Sequence, residues 1–257
     1  MDQAIYHTGQ ITKDIGRCIY CGSEDSLTDE HVIPYALNGV IVLNRGSCKK
    51  CANIISRIER RVLRGPLSDY RYLKQFKSRS KYKEFVPTKN YTFQNKQGKL
   101  AQREMHLNEV GVYMFLPQFA EPKYFGGNPN DTGIEIKGIH KFSALPKKNN
   151  IKPDIDEVKI TQDFPTELFL RFLCKIALGY VSLIYPREKY KSFITDFILG
   201  KKSGIQDWQY IGSPEKSTFS NNEIAIKVYL TKKVIWCEIK LFNDLPVTYK
   251  VVVGELI

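Results

Sequence analysis

The period of the apolar side chains changes along the chain, and each change marks an expected element. Residues 1–16 carry little pattern and read as an entry segment. Short β-like stretches at Ile19-Tyr20 and Val40-Ile41-Val42-Leu43 lie among loops rich in Gly, Asp and Asn. From Lys49 the spacing turns helical: Ile54, Ile55, Ile58, Val62 and Leu63 fall on one stripe, with Arg57, Arg60, Arg61 and Arg64 outward. Gly65-Pro66 stops that helix. Residues 67–83 interleave aromatic and basic side chains, among them Tyr70, Arg71, Lys74, Phe76 and Lys77. They read either as a strand or loop tracking a phosphate backbone, or as a half-buried strand with snorkelling lysines.

Further on, strand-like patches (Val110 to Phe115, Ile134 to Ile136) alternate with turn signals at Asn95-Lys96-Gln97-Gly98 and around Gly126 to Asp131. Phe164 to Tyr185 predicts a long buried helix, with Glu167, Arg171 and Lys175 as its wet face. Glu188 to Leu199 predicts a second helix ending at Gly200. In the tail, Ile224, Ile226, Val228 and Leu230 alternate, followed by Val234-Ile235-Trp236 and Val247 to Val253, the expected closing strands of a meander. Three regions follow: residues 1–66 as a small module, 67–83 as a basic and aromatic connector, and 84–257 as an α+β recognition or interaction domain.

Composition sharpens this picture at two points. No apolar run reaches the roughly 18–20 residues of a membrane span, and the first residues lack the basic start and apolar stretch of a signal peptide. The expected setting is therefore cytoplasmic, where paired CxxC motifs bind metal rather than form disulfides. The net charge of +12 is also concentrated: between Arg45 and Arg103 there are 17 Lys/Arg and three acids. A basic block of this kind is the footprint of a polyphosphate binder. Arg57, Arg60, Arg61, Arg64, Arg71, Lys74 and Lys77 are the candidate nucleic-acid contacts.

The cysteines give the sharpest signal. Cys18-x-x-Cys21 and Cys48-x-x-Cys51 form two knuckles whose four thiolates suit one tetrahedral Zn²⁺ in a closed, structural site. Cys174 and Cys237 fall outside the pattern and read as small buried hydrophobes. Between the knuckles lies Asp29-Glu30-His31-Val32-Ile33-Pro34. A carboxylate such as Glu30 can ligate a hard cation, Mg²⁺ or Mn²⁺, while His31, on the opposite face of a strand, can take a proton from water. That division of labour suits phosphodiester hydrolysis.

Cys18-x-x-Cys21, Glu30-His31-x-x-Pro34, the Leu37-Asn38-Gly39 turn and Cys48-x-x-Cys51-x-Asn53 resemble the zinc-knuckle branch of the HNH endonuclease family. The resemblance covers residues 17–66. It implies an N-terminal zinc-bound ββα-metal (His-Me) finger; with the pattern of the later residues, the expected fold is α+β, the finger followed by a larger mixed domain with a long buried helix pair and C-terminal antiparallel strands. It further implies a metal-dependent endonuclease acting on nucleic acid, double-stranded DNA above all. His31 would be the general base, Glu30 and Asn53 ligands of the catalytic cation, and Asn44 a brace for the histidine loop. The family places a ligand immediately after the last knuckle cysteine, where this chain has Ala52. Ser56 and Glu59 share the Ala52 face, so Glu59 is the alternative to Asn53, or else a partner of the arginines around it. Asp29 is either a second carboxylate near the cation or a turn residue. A nucleic-acid binding module with a decayed nuclease site is the rival function. A homodimer, or a subunit of a defence or restriction system, are the assemblies to look for.

Overall fold

The computed structural model describes residues 3–5, 11–76, 88–95, 97–126, 133–144, 155–159, 163–201, 205–219 and 225–257. Lys77 lies outside them. The strands are β1 (Gln3–Ile5), β2 (Ile11–Asp14), β3 (Leu27–His31), β4 (Ile41–Cys48), β5 (Thr88–Asn95), β6 (Leu100–His106), β7 (Val112–Phe119), β8 (Ile136–Ala144), β9 (Ile155–Lys159), β10 (Tyr190–Ser192), β11 (Ile211–Gly212), β12 (Ala225–Thr231), β13 (Val234–Lys240) and β14 (Tyr249–Leu256). The helices are α1 (Lys49–Arg64), α2 (Ser68–Leu73), α3 (Leu107–Val110), α4 (Thr166–Ile184) and α5 (Thr195–Leu199). The architecture is mixed α+β, and among the described residues no helix is long and apolar enough to cross a membrane.

Helix α4 organises the molecule. Its side chains from Phe169 to Ser182 are apolar nearly all round, with all but Arg171 buried, as a helix with protein on both sides must be. One side packs on α1, the other on β12, β13 and β14. Those strands form the centre of a six-stranded sheet in the order β1-β12-β13-β14-β10, with β11 also paired to β14. A smaller sheet, β2-β4-β3, pairs β2 parallel and β3 antiparallel to β4, and α1 follows β4 directly. One hydrophobic cluster runs from Cys18 through α1 and α4 to Val253, so the core is continuous across residue 66.

The structure departs from the sequence expectations at Ile19-Tyr20, which form a turn rather than a strand, and in three places further along the chain. Residues 68–73 are helical because Tyr70 turns inward, its ring edge-on to Phe76, Phe142 and Phe242 at 5.9, 5.0 and 4.7 Å. The hydroxyl of Tyr70 donates to Asp244, which also meets Lys74 at 2.9 Å. Residues 188–199 are not one helix: β10 pairs with β14 and only α5 is helical. Burying Tyr190 against the closing strand outweighs local helical spacing. Thirdly, Lys175 is not on a wet face. It is 1 % exposed.

Candidate active site and metal centre

The first knuckle is a tight turn. The amide of Gly22 donates to the carbonyl of Cys18 at 2.9 Å, and the amide of Ile19 reaches Gly46 of β4 at 2.8 Å. The second knuckle straddles the end of β4 and the first turn of α1, with Cys48 as the N-cap residue. The four Cys Sγ atoms lie within 4.8 Å of one another, and Cys21 and Cys48 are 3.6 Å apart. A tetrahedral zinc with bonds of about 2.3 Å sets its sulfurs about 3.8 Å apart. The donor set and spacing fit such an ion. Burial pushes the Cys18 and Cys51 thiols up. Burial also opposes ionisation of Cys48, but the Cys51 amide and the neighbouring thiols bring it down to about 7.

A bulge between β3 and β4 sets the histidine strand. Thr28 faces Ser47 and Glu30 faces Leu43, so three β4 residues are spliced in where one would do. Arg45 takes the left-handed conformation (φ +53°) and its amide donates to Asp29 Oδ1 at 3.0 Å. Asp29 thus braces the bulge. Gly46 makes room for it: a Cβ there would sit 2.8 Å from Leu43 Cβ and 3.3 Å from Glu30 Cβ. The bulge increases local twist and re-aims its neighbours, leaving Glu30 buried and Asp29 exposed.

Glu30 meets a partner that hydropathy patterning hides. Lys175 Nζ lies 2.9 Å from Glu30 Oε1 and 2.9 Å from Glu59 Oε1. The same ammonium donates to the carbonyls of Val32, at 3.1 Å, and of His31. Helix α4 packs on Val32 here: a Cβ at Gly179 would stand 3.4 Å from the Val32 side chain, in ordinary van der Waals contact. Desolvation works against the Lys175 charge, but the two glutamates outweigh it and raise its pKa. Burial raises Glu30, and Glu59 adds to that, against the pull of Lys175. The Tyr20 hydroxyl, wholly buried close to both carboxylates, is pushed well up by burial and by their charge.

Glu30, His31 and Glu59 open onto one cleft of ≈670 Å³ between β3, the 34–36 turn and α1. Ala52, Ile55 and Ser56 also line it, and Arg60, Arg64 and Arg71 form its basic wall. Arg71 is fixed by bonds to the carbonyls of Ala36 (2.8 Å) and Leu63 (2.9 Å). His31 has the Tyr35 ring edge-on at 6.1 Å. A second cleft, ≈310 Å³, is lined by Arg57, Arg60, Arg61, Arg64 and Gly65, so the arginine face of α1 continues the basic wall.

The sequence-derived candidates divide accordingly. Glu30, His31, Arg60, Arg64 and Arg71 meet in one cleft, and Asp29 and Glu59 join them. Asn53 is exposed, one helical step off the Ala52 face, and is not among the cleft residues. Asn44 sits in β4 beside β2, its carbonyl accepting from Ile15 at 3.0 Å, away from the cleft. Lys74 is engaged with Asp244, and Arg61 with Asp163 at 3.4 Å. Lys175 was the missed residue. Its signal was weak: one lysine in an otherwise apolar stretch, where a snorkelling side chain is the ordinary reading. Asn53 thus lies outside the cleft residues, and Glu30 is paired with an ammonium. Comparison with protein-family models, with curated proteins and with solved structures finds no match for this chain.

Proposed function

We propose that the cleft hydrolyses phosphodiester bonds of nucleic acid, in the manner of an HNH endonuclease built on a ββα-metal finger. The observation that carries this reading is the meeting of His31 with three arginines, Arg60, Arg64 and Arg71, in one cleft beside a four-cysteine cluster. His31 would take a proton from the attacking water as general base. The guanidinium groups would hold the phosphate and stabilise the charge that develops on its oxygens. Cys18, Cys21, Cys48 and Cys51 would hold zinc, which supplies a rigid cross-link between the turn before β3 and the start of α1.

The experiment is nicking of supercoiled plasmid and cleavage of single-stranded DNA and RNA by the full zinc-loaded chain, compared with His31→Ala. Cleavage by the native chain that His31→Ala abolishes, with zinc content and melting temperature retained, supports the reading. Undiminished cleavage by the variant refutes it. A second reading, a nucleic-acid binding module without hydrolysis, is favoured by the engagement of Glu30 with Lys175. Tight, salt-sensitive binding with no cleavage under any divalent cation would select it.

A further inference from the structure

We infer that Lys175 is the resident cation of the Glu30–Glu59 pair, taking the place a divalent metal ion would fill, and that it positions His31 through the backbone. The inference rests on the reading of the cleft as hydrolytic only for its consequence, metal-independent cleavage.

Four oxygens surround one point: Oε1 of Glu30 and of Glu59, each at 2.9 Å, and the carbonyls of His31 and Val32. An all-oxygen cage with two carboxylates is the donor set of a hard cation. The point is filled by an ammonium that is 1 % exposed and carried on the most buried helix of the fold. Displacing it would leave a buried cation with no partner, which is strongly destabilising. The pair is thus closed to Mg²⁺ and Mn²⁺ in the native chain. Because two of the four oxygens are the carbonyls of His31 and Val32, the same contact fixes the peptide plane from which the imidazole projects.

Charge compensation on the substrate then falls to the arginine wall, which faces the cleft from α1 and α2. Water attacks phosphorus, His31 accepts its proton, and the P–O bond to the leaving nucleoside breaks, with the leaving oxygen protonated from solvent.

The test measures Mn²⁺ binding by loss of the free-ion EPR signal, using the full zinc-loaded chain. The native protein and Glu30→Gln should titrate alike. Lys175→Met should acquire one Mn²⁺ site at least about tenfold tighter than any on the native chain, and Lys175→Met combined with Glu30→Gln should lose it. Where Lys175→Met does not fold, Lys175→Gln, which keeps donors for the two carbonyls, carries the comparison. Native Mn²⁺ binding that Glu30→Gln abolishes overturns the inference.

Cleavage separates the two claims. His31-dependent cleavage without added divalent cation, zinc content verified, supports both. Cleavage that requires Mg²⁺ and is lost in Glu30→Gln overturns the resident-cation inference and leaves the nuclease reading standing. No cleavage under any condition, with the Mn²⁺ titrations as expected, overturns the nuclease reading and leaves Lys175 as the resident cation.

Discussion

Replacing Lys175 with Met isolates what the buried ammonium contributes. Met keeps length and apolar volume, so the packing of α4 is nearly conserved and the charge alone is lost. Two carboxylates then lose their cation, one with a side chain 6 % exposed (Glu30) and one 23 % exposed (Glu59). Removing one partner of a buried pair costs about 3–5 kcal/mol, because the other charge is left uncompensated. The Glu30 end dominates, since Glu59 can draw on water. For a chain of this size about 4 kcal/mol lowers the melting temperature by roughly 8–16 °C.

The loss should also depend on pH. A carboxyl whose folded pKa is raised, as burial raises Glu30, binds a proton in the native state that the unfolded chain has released. Stability is therefore lost as pH rises through the folded pKa and regained below it. Without Lys175 the upward shift grows, so the gap between variant and native protein should narrow as pH falls through the raised Glu30 pKa. Urea unfolding followed by far-ultraviolet circular dichroism, at matched zinc content, measures both quantities. Adding Glu30→Gln to the variant should recover more than half of the loss. A penalty below about 1 kcal/mol, independent of pH and unchanged in the Glu30→Gln background, would refute the pairing.

Metal analysis of the purified chain should give one zinc per molecule, and Cys51→Ser should lose it together with the cooperative melting of the N-terminal sheet and α1. Arg60→Gln and Arg64→Gln should each lower the slope of log binding constant against log salt by about one, with little change in stability, as read by fluorescence titration with labelled oligonucleotides. Arg71→Gln should do the same and also cost about 1–3 kcal/mol in urea unfolding, because the carbonyls of Ala36 and Leu63 lose their donor. Gly39→Ala should destabilise by about 2–3 kcal/mol in the same assay, since a Cβ would fall 1.8 Å from the Ile33 carbonyl oxygen and force open the turn after His31.

The elements legible in the sequence are those set by local chemistry. The knuckle cysteines, the stripe of α1, the apolar run of α4 and the alternation of β12 to β14 each carry their periodicity within a few residues. What was illegible depends on partners far along the chain. Tyr70 is helical because three rings and Asp244 receive it, and Tyr190 is extended because β14 is there to pair with it. Lys175 is the clearest case, because its acceptor on His31 is 144 residues away. Within its own helix it has the spacing of a solvent-facing residue, and nothing local distinguishes it from one. The Ala52–Asn53 step resolves in the same way. Helix geometry aims the Ala52 face, and with it Glu59, at the cleft.

That separation along the chain also fixes an order of events. Translation delivers both glutamates before the helix that carries their ammonium. The interval between Glu59 and Lys175, some 116 residues, takes roughly 6–23 s at about 5–20 residues per second. Throughout that interval both glutamates have been made without the ammonium that pairs them in the folded chain. The carboxylate pair is thus without its cation until α4 has been made, and is closed once α4 packs against it.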